Sequence, residues 1–220
     1  MHTQTVFHGL SGPPAMRVVM MPGAYQQPAQ FLQAGFDQAV LTRAPRVELI
    51  LTMPELAHLT DRRWLTSMHE QIVAPARSER DVPLWLGGVS LGAFMALRFA
   101  AQYPESIDGL CLLAPYLGSR IITSEIAAHA DIAHWQSGAL DEDDDERRIW
   151  QYVARLQNRL TSTPVFVGFG SSDRFADTQR VLVRALAAVP STTRVIAGGH
   201  DWPVWRELWD QFLDVYGKLS

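Results

Sequence analysis

The sequence predicts an α/β fold: a mainly parallel central sheet of about six to seven strands with helices on both faces. Two observations carry that prediction. Short apolar runs at 16–21, 46–52, 83–89, 109–114, 164–170 and 193–198 alternate with longer stretches of helical pattern. Strands of a parallel sheet read this way because crossover helices bury both of their faces. The third run also passes through Gly88-Val89-Ser90-Leu91-Gly92 and continues as a helical pattern over 93–100 with no Gly or Pro. That is strand, sharp turn and helix with a serine at the apex.

Taken in order, 16–21 is a buried strand that runs into Pro22-Gly23-Ala24-Tyr25. A turn at the carboxyl end of a parallel strand is where open α/β sheets place ligand-binding loops. A helix is expected over 28–42 despite Gly35, a strand over 46–52, and a helix over 60–80 that is interrupted or ends near Pro75. After the Ser90 turn, 109–114 is a strand stopped by Pro115. Two further strands, 164–170 and 193–198, are followed by helices over 175–189 and 203–216. Between Pro115 and Thr161 the pattern is helical without a strand, and 117–160 reads as a small helical cap inserted in one domain spanning 1–220. Its acidic run, 141–146, reads as a solvated loop and helix start, since carboxylates favour a first helical turn; calcium binding is the alternative.

Composition narrows the function. At 220 residues with 47% apolar and 19% charged side chains, the chain can build one substantial core. A net charge of −4 offers no basic face for nucleic acid or anionic lipid. The single cysteine, Cys111, lies inside an apolar strand, so it reads as a small buried hydrophobe and allows neither an intramolecular disulfide nor a thiolate cluster. H-E-x-x-H, the phosphate-cradling G-x-x-x-x-G-K-[ST] and the full G-x-G-x-x-G are all missing, so no metal and no nucleotide cofactor is expected. Neither a leader pattern nor a membrane-length apolar run is found, and a cytoplasmic location is the expectation. Oligomeric state is not legible.

The chemistry converges on one edge of the sheet. Side chains at Gly88 or Gly92 would collide with neighbouring backbone, and the turn forces Ser90 into a strained conformation that lifts its hydroxyl clear. The new helix aims its N-terminus there, leaving the Leu91 N–H to receive an oxyanion. The bland alternative is a Gly-Ser turn in an ordinary strand-to-helix loop. A serine nucleophile needs a base, and the base an orienting acid. Asp173 follows the fifth apolar run and His200 follows the sixth, so both sit past strand carboxyl ends, as Ser90 does. Asp177 is the weaker candidate acid because it falls inside the next helix. Asp201 is expected to cap the last helix. Of seven histidines, only His200 follows a strand in a Gly-rich turn. His58, His69, His129 and His134 read as surface or packing residues, with His129 or His134 touching substrate as the alternative. Trp202, Trp205 and Trp209 recur at helical spacing as a core stripe, with Trp202 also shielding the His200 ring.

The order Ser90, Asp173, His200 resembles that of the α/β-hydrolase superfamily, and the similarity spans the chain from Met16 to Tyr216. The stretch Gly198-Gly199-His200-Asp201-Trp202-Pro203-Val204-Trp205 is similar to the histidine region of esterase-D-like and siderophore-esterase-like carboxylic ester hydrolases. The resemblance implies an α/β-hydrolase fold with Ser90 as nucleophile, His200 as general base then acid, and Asp173 as its orienting partner. The oxyanion hole is then Leu91 N–H together with an N–H of the early loop. Many relatives carry His-Gly-x in that loop where this chain has Pro22-Gly23-Ala24. Ala24 still supplies a backbone N–H, with Tyr25 as the other candidate donor. Tyr25 otherwise lines the pocket or packs as an aromatic. The expected reaction is hydrolysis of a small carboxylic ester through an acyl-enzyme, its rate rising with pH around a histidine's usual value of about 6.5. A thioesterase or acyltransferase with the same residues is the enzymatic rival. A catalytically silent ligand-binding protein is the rival of another class.

Overall fold

A computed structural model of the chain describes residues 2–8, 12–53, 63–77, 82–129, 131–141, 143–158 and 163–218. Its centre is a seven-stranded sheet ordered β1-β3-β2-β4-β5-β6-β7. The strands are β1 (His2–His8), β2 (Met16–Met21), β3 (Val47–Met53), β4 (Leu84–Val89), β5 (Gly109–Leu113), β6 (Val165–Gly170) and β7 (Ser191–Ile196). β2 to β7 pair in parallel, whereas β1 adds antiparallel to the outer side of β3. Apolar patterning finds the six parallel strands but passes over β1, whose HTQTVFH is mostly polar and carries only Val6 and Phe7 as apolar residues. At the opposite edge, β7 is only partly buried, while β2, β4, β5 and β6 are buried throughout.

The expected helix over 28–42 is two helices, α1 (Ala29–Gln33) and α2 (Phe36–Arg43), because Gly35 adopts φ 79° between them. Only glycine takes that left-handed value without strain, so the chain turns there. Next come α3 (Arg63–Met68), a π-helical turn (His69–Val73) and α4 (Ala74–Ala76); the expected ends of this helix at 60–62 and 78–80 lie outside the described residues, as does His58. The remaining helices are α5 (Leu91–Gln102), α6 (Arg120–Ala127), α7 (Asp145–Asn158), α8 (Ala176–Ala185) and α9 (Trp202–Tyr216). α2 and α9 pack together as one layer, while α5, α7 and α8 form the other. Within 117–160, therefore, α7 is the crossover helix between β5 and β6 and packs on α5, with α6 leading into it; residues 159 and 160 lie outside the described set.

From β2 the chain runs to β3 on one side, then returns to β4 on the other. Strand order reverses between β2 and β4, and the crevice outside such a reversal is where open sheets bind ligands. The loops after β2 and β4 both open there.

Candidate active site

β4 runs straight into Ser90, whose backbone takes φ 52° and ψ −114°. Its N–H donates to Leu113 O at 2.9 Å, and its carbonyl accepts from Ala93 N–H, Phe94 N–H and Tyr116 N–H at 3.1–3.2 Å. The two flanking glycines are a steric requirement. A Cβ on Gly88 would stand 2.5 Å from Met21 O, and one on Gly92 only 2.1 Å from that same oxygen. α5 can therefore leave β4 hard against the end of β2 only with glycine at both positions.

β6 and β7 are tied at their carboxyl ends by Ser171 N–H to Ile196 O (2.7 Å) and Ser172 N–H to Gly198 O (2.9 Å). This brings the loops carrying Asp173 and His200 side by side. His200 Nδ1 lies 2.7 Å from Asp173 Oδ2, and its Nε2 lies 2.9 Å from Ser90 Oγ. An ionised carboxylate only accepts, so Nδ1 carries the proton; Nε2 is then the lone-pair nitrogen facing the serine O–H. The Asp173 side chain has no exposed surface, and its Oδ1 accepts from Phe175 N–H at 2.8 Å. Burial by itself pushes this carboxyl up. Hydrogen bonds from His200, Phe175 N–H and the Gln179 side chain outweigh it and hold the group below the usual carboxylate range. Phe175 and Trp205 present edges to the His200 ring at 5.2 and 5.1 Å, fixing its plane from two sides. Trp205 therefore does the shielding expected of Trp202, which packs instead against Phe31 and Phe36.

Leu91 is the first residue of α5, and its N–H has no acceptor among the described residues. The loop after β2 approaches from the other side: a Cβ on Gly23 would lie 3.3 Å from Ser90 Cβ. The Gly23 N–H is already taken by Gln26 Oε1 at 2.9 Å, while Gln26 N–H donates back to Gly23 O. That clasp leaves Ala24 N–H and Tyr25 N–H without acceptors among the described residues. The Tyr25 ring is fully exposed at φ 60°, so it packs against nothing.

Residues 57–214, well over half of the chain, match the family model Esterase. The chain belongs to the Esterase family. No curated protein matches this esterase in sequence. Its structure is similar to FphF, a fluorophosphonate-binding serine hydrolase of Staphylococcus aureus (TM-score 0.70, 10% identity, 98% of this chain and 92% of that one). It is also similar to S-formylglutathione hydrolase FrmB of S. aureus (0.67, 11%, 95% and 84%). A third likeness is to Est1E of Butyrivibrio proteoclasticus (0.66, 14%, 99% and 94%). The fold is thus the α/β-hydrolase fold.

Other residues singled out in the sequence lie apart from this cluster. Asp177 is exposed and pairs with Arg180 at 2.9 Å. Asp201 caps α9 through Val204 N–H at 3.2 Å. His69 stacks on Tyr103 at 4.5 Å, and His129 and His134 bond within their own segment. Cys111 is buried, and desolvation pushes its thiol well up. Among the described residues, no group of three or more His, Cys, Asp or Glu is arranged to hold a metal ion, and no helix is long and apolar enough to cross a membrane.

Sequence reasoning missed an aromatic wall beside Ser90. Phe94, Tyr116 and Phe175 stand in a row with centroids 5.8 and 5.7 Å apart. Glu146, on the first turn of α7, anchors it by accepting from Ser119 N–H (2.8 Å), Ser119 Oγ (2.6 Å) and Tyr116 OH (3.3 Å). Burial first, then the adjacent Glu146 carboxylate, pushes the Tyr116 phenol up, so it stays a donor. The only signal in the sequence was that these aromatics sit two to four residues from Ser90, Asp173 and the end of β5.

Proposed function

We propose that the chain hydrolyses carboxylic esters through an acyl-enzyme on Ser90. The observation that carries this reading is the unbroken contact from Ser90 Oγ through His200 to the buried Asp173. Ser90 Oγ attacks the carbonyl carbon while His200 Nε2 takes the hydroxyl proton. The resulting imidazolium is held by Asp173, then protonates the departing alcohol. Water repeats the sequence on the acyl-enzyme, its proton passing to His200 and on to Ser90 Oγ. Leu91 N–H and Ala24 N–H receive the oxyanion, each contributing about 3 kcal/mol of barrier lowering. The wall of Phe94, Tyr116 and Phe175, anchored from within the 117–160 segment, sets the size of the substrate group that fits beside Ser90.

The test is hydrolysis of a p-nitrophenyl acyl series from C2 to C12 by wild type and Ser90→Ala, with fluorophosphonate labelling in parallel. Ser90→Ala is expected to lower kcat by roughly 10⁴- to 10⁶-fold while remaining folded. Folded wild-type protein with neither turnover nor labelling would sink the reading. An acyl thioester run beside the oxygen ester separates the thioesterase alternative.

A further inference from the structure

Gln179 lies one helical turn beyond Phe175, on α8, and its side chain is wholly buried. Its Nε2 donates to Pro115 O at 3.3 Å. The same amide faces Asp173 and helps to keep that carboxyl ionised. Turned over, the amide would set its oxygen against two acceptors, Pro115 O and the carboxylate, so the N–H groups point inward. In this orientation Oε1 is buried with no donor among the described residues. A buried carbonyl oxygen without a donor is costly, and an apolar side chain of the same length would avoid that cost. Stability alone therefore does not account for an amide here.

The Pro115 carbonyl shares its peptide plane with the Tyr116 N–H, which donates to Ser90 O at 3.2 Å. In a planar trans peptide the C=O and N–H point in opposite directions, so one rigid unit reaches both ways. A continuous path thus runs from the Asp173 carboxylate through Phe175, whose N–H donates to it and whose carbonyl accepts from Gln179 N–H, and on through the Gln179 amide and the Pro115–Tyr116 peptide to the backbone of Ser90. His200 bridges the same two residues, side chain to side chain. We propose that Gln179 is a positioning residue for ester hydrolysis, holding Asp173 and the Ser90 turn at the separation that His200 spans. The inference rests on the roles given above to Ser90, His200 and Asp173.

Gln179→Met keeps length and burial but removes both N–H donors; Gln179→Glu is the second variant. Three quantities are read: the unfolding temperature, kcat and KM on p-nitrophenyl acetate, and the proton NMR resonance of the Nδ1 proton between His200 and Asp173. The Met variant is expected to fold and to keep KM within about twofold, with kcat down about tenfold because small displacements of reacting groups are costly. The shared proton should move downfield, since Asp173, relieved of a competing donor, accepts more strongly from His200. If the Met variant does not fold, kcat and the resonance of the Glu variant decide by the same criteria. A side chain that only fills space would change the unfolding temperature and leave kcat and the resonance unmoved, and that result overturns the proposal. Wild-type protein without Ser90-dependent turnover would instead sink the acyl-enzyme reading, leaving the resonance to judge Gln179 on its own.

Discussion

Ser90 sits at φ 52° with a side chain attached, a conformation that costs a non-glycine residue about 1–3 kcal/mol. The surrounding bonds hold it there: one backbone donor and three acceptances at its own carbonyl, with β2 closing over Gly88 and Gly92. Strain of this kind has a measurable signature. Ser90→Gly is expected to abolish turnover yet raise the free energy of unfolding by about 1 kcal/mol, as relief of strain exceeds the added freedom of the unfolded chain. Urea unfolding of the two proteins checks it, and a less stable glycine variant would show that the turn stores no strain. The need for glycine around this serine was legible in the motif itself. The Tyr25 side chain was not, because a tyrosine at φ 60° with its ring in solvent leaves no trace in composition or spacing.

The acidic run before α7 shows what patterning hides at the level of elements. In sequence, 141–146 reads as a solvated helix start, and Asp144 does cap α7 through Arg147 N–H at 2.9 Å. The next two carboxylates turn inward. Asp145 pairs with Arg98 of α5, whose side chain is only 2% exposed, and Glu146 holds the loop after β5. A charge on the first turn of a helix looks the same in sequence whether it faces water or a buried guanidinium, so this docking of α7 on α5 could not be read in advance. Removing one partner of such a pair leaves the other charge buried. Asp145→Ala is therefore expected to cost about 2–4 kcal/mol, whereas Arg98→Met with Asp145→Ala recovers much of that loss. Denaturant midpoints of the single and double variants measure it, and equal losses in both would mean that α7 is held by packing alone. The break at Gly35 has the opposite character: a glycine inside a helical pattern was visible, but whether the chain would turn there depended on α2 having α9 to pack against.

Across the whole molecule, the parallel sheet and the chain order of Ser90, Asp173 and His200 were legible because each rests on local chemistry at a strand end. β1 was not, since its place is fixed by pairing with β3 some forty residues away. The same long-range assembly gives the protein a directional response to acid. Three carboxyls in separate regions are held below the usual carboxylate range. In Asp173, hydrogen bonds from His200 and Phe175 N–H overcome the upward push of burial; in Glu125 the main cause is a hydrogen bond from Arg147, and in Asp214 one from Lys218 with Arg43 beside it. The unfolded chain takes up protons at these positions near a carboxylate's ordinary value of about 4, whereas the folded chain resists until lower pH. Unfolded protein thus binds more protons in that window, and stability must fall as pH falls through it, being fully present above. Salt divides the effect, because the Asp214 and Glu125 pairs are partly exposed while the Asp173 side chain is fully buried. Urea midpoints between pH 3 and pH 7 are expected to drop steadily below about pH 5. In high salt the drop should be shallower but persist, and Asp173→Asn should remove most of what persists. A midpoint that held constant or rose on acidification would mean that the carboxylate–imidazole contact does not stabilise the fold it completes.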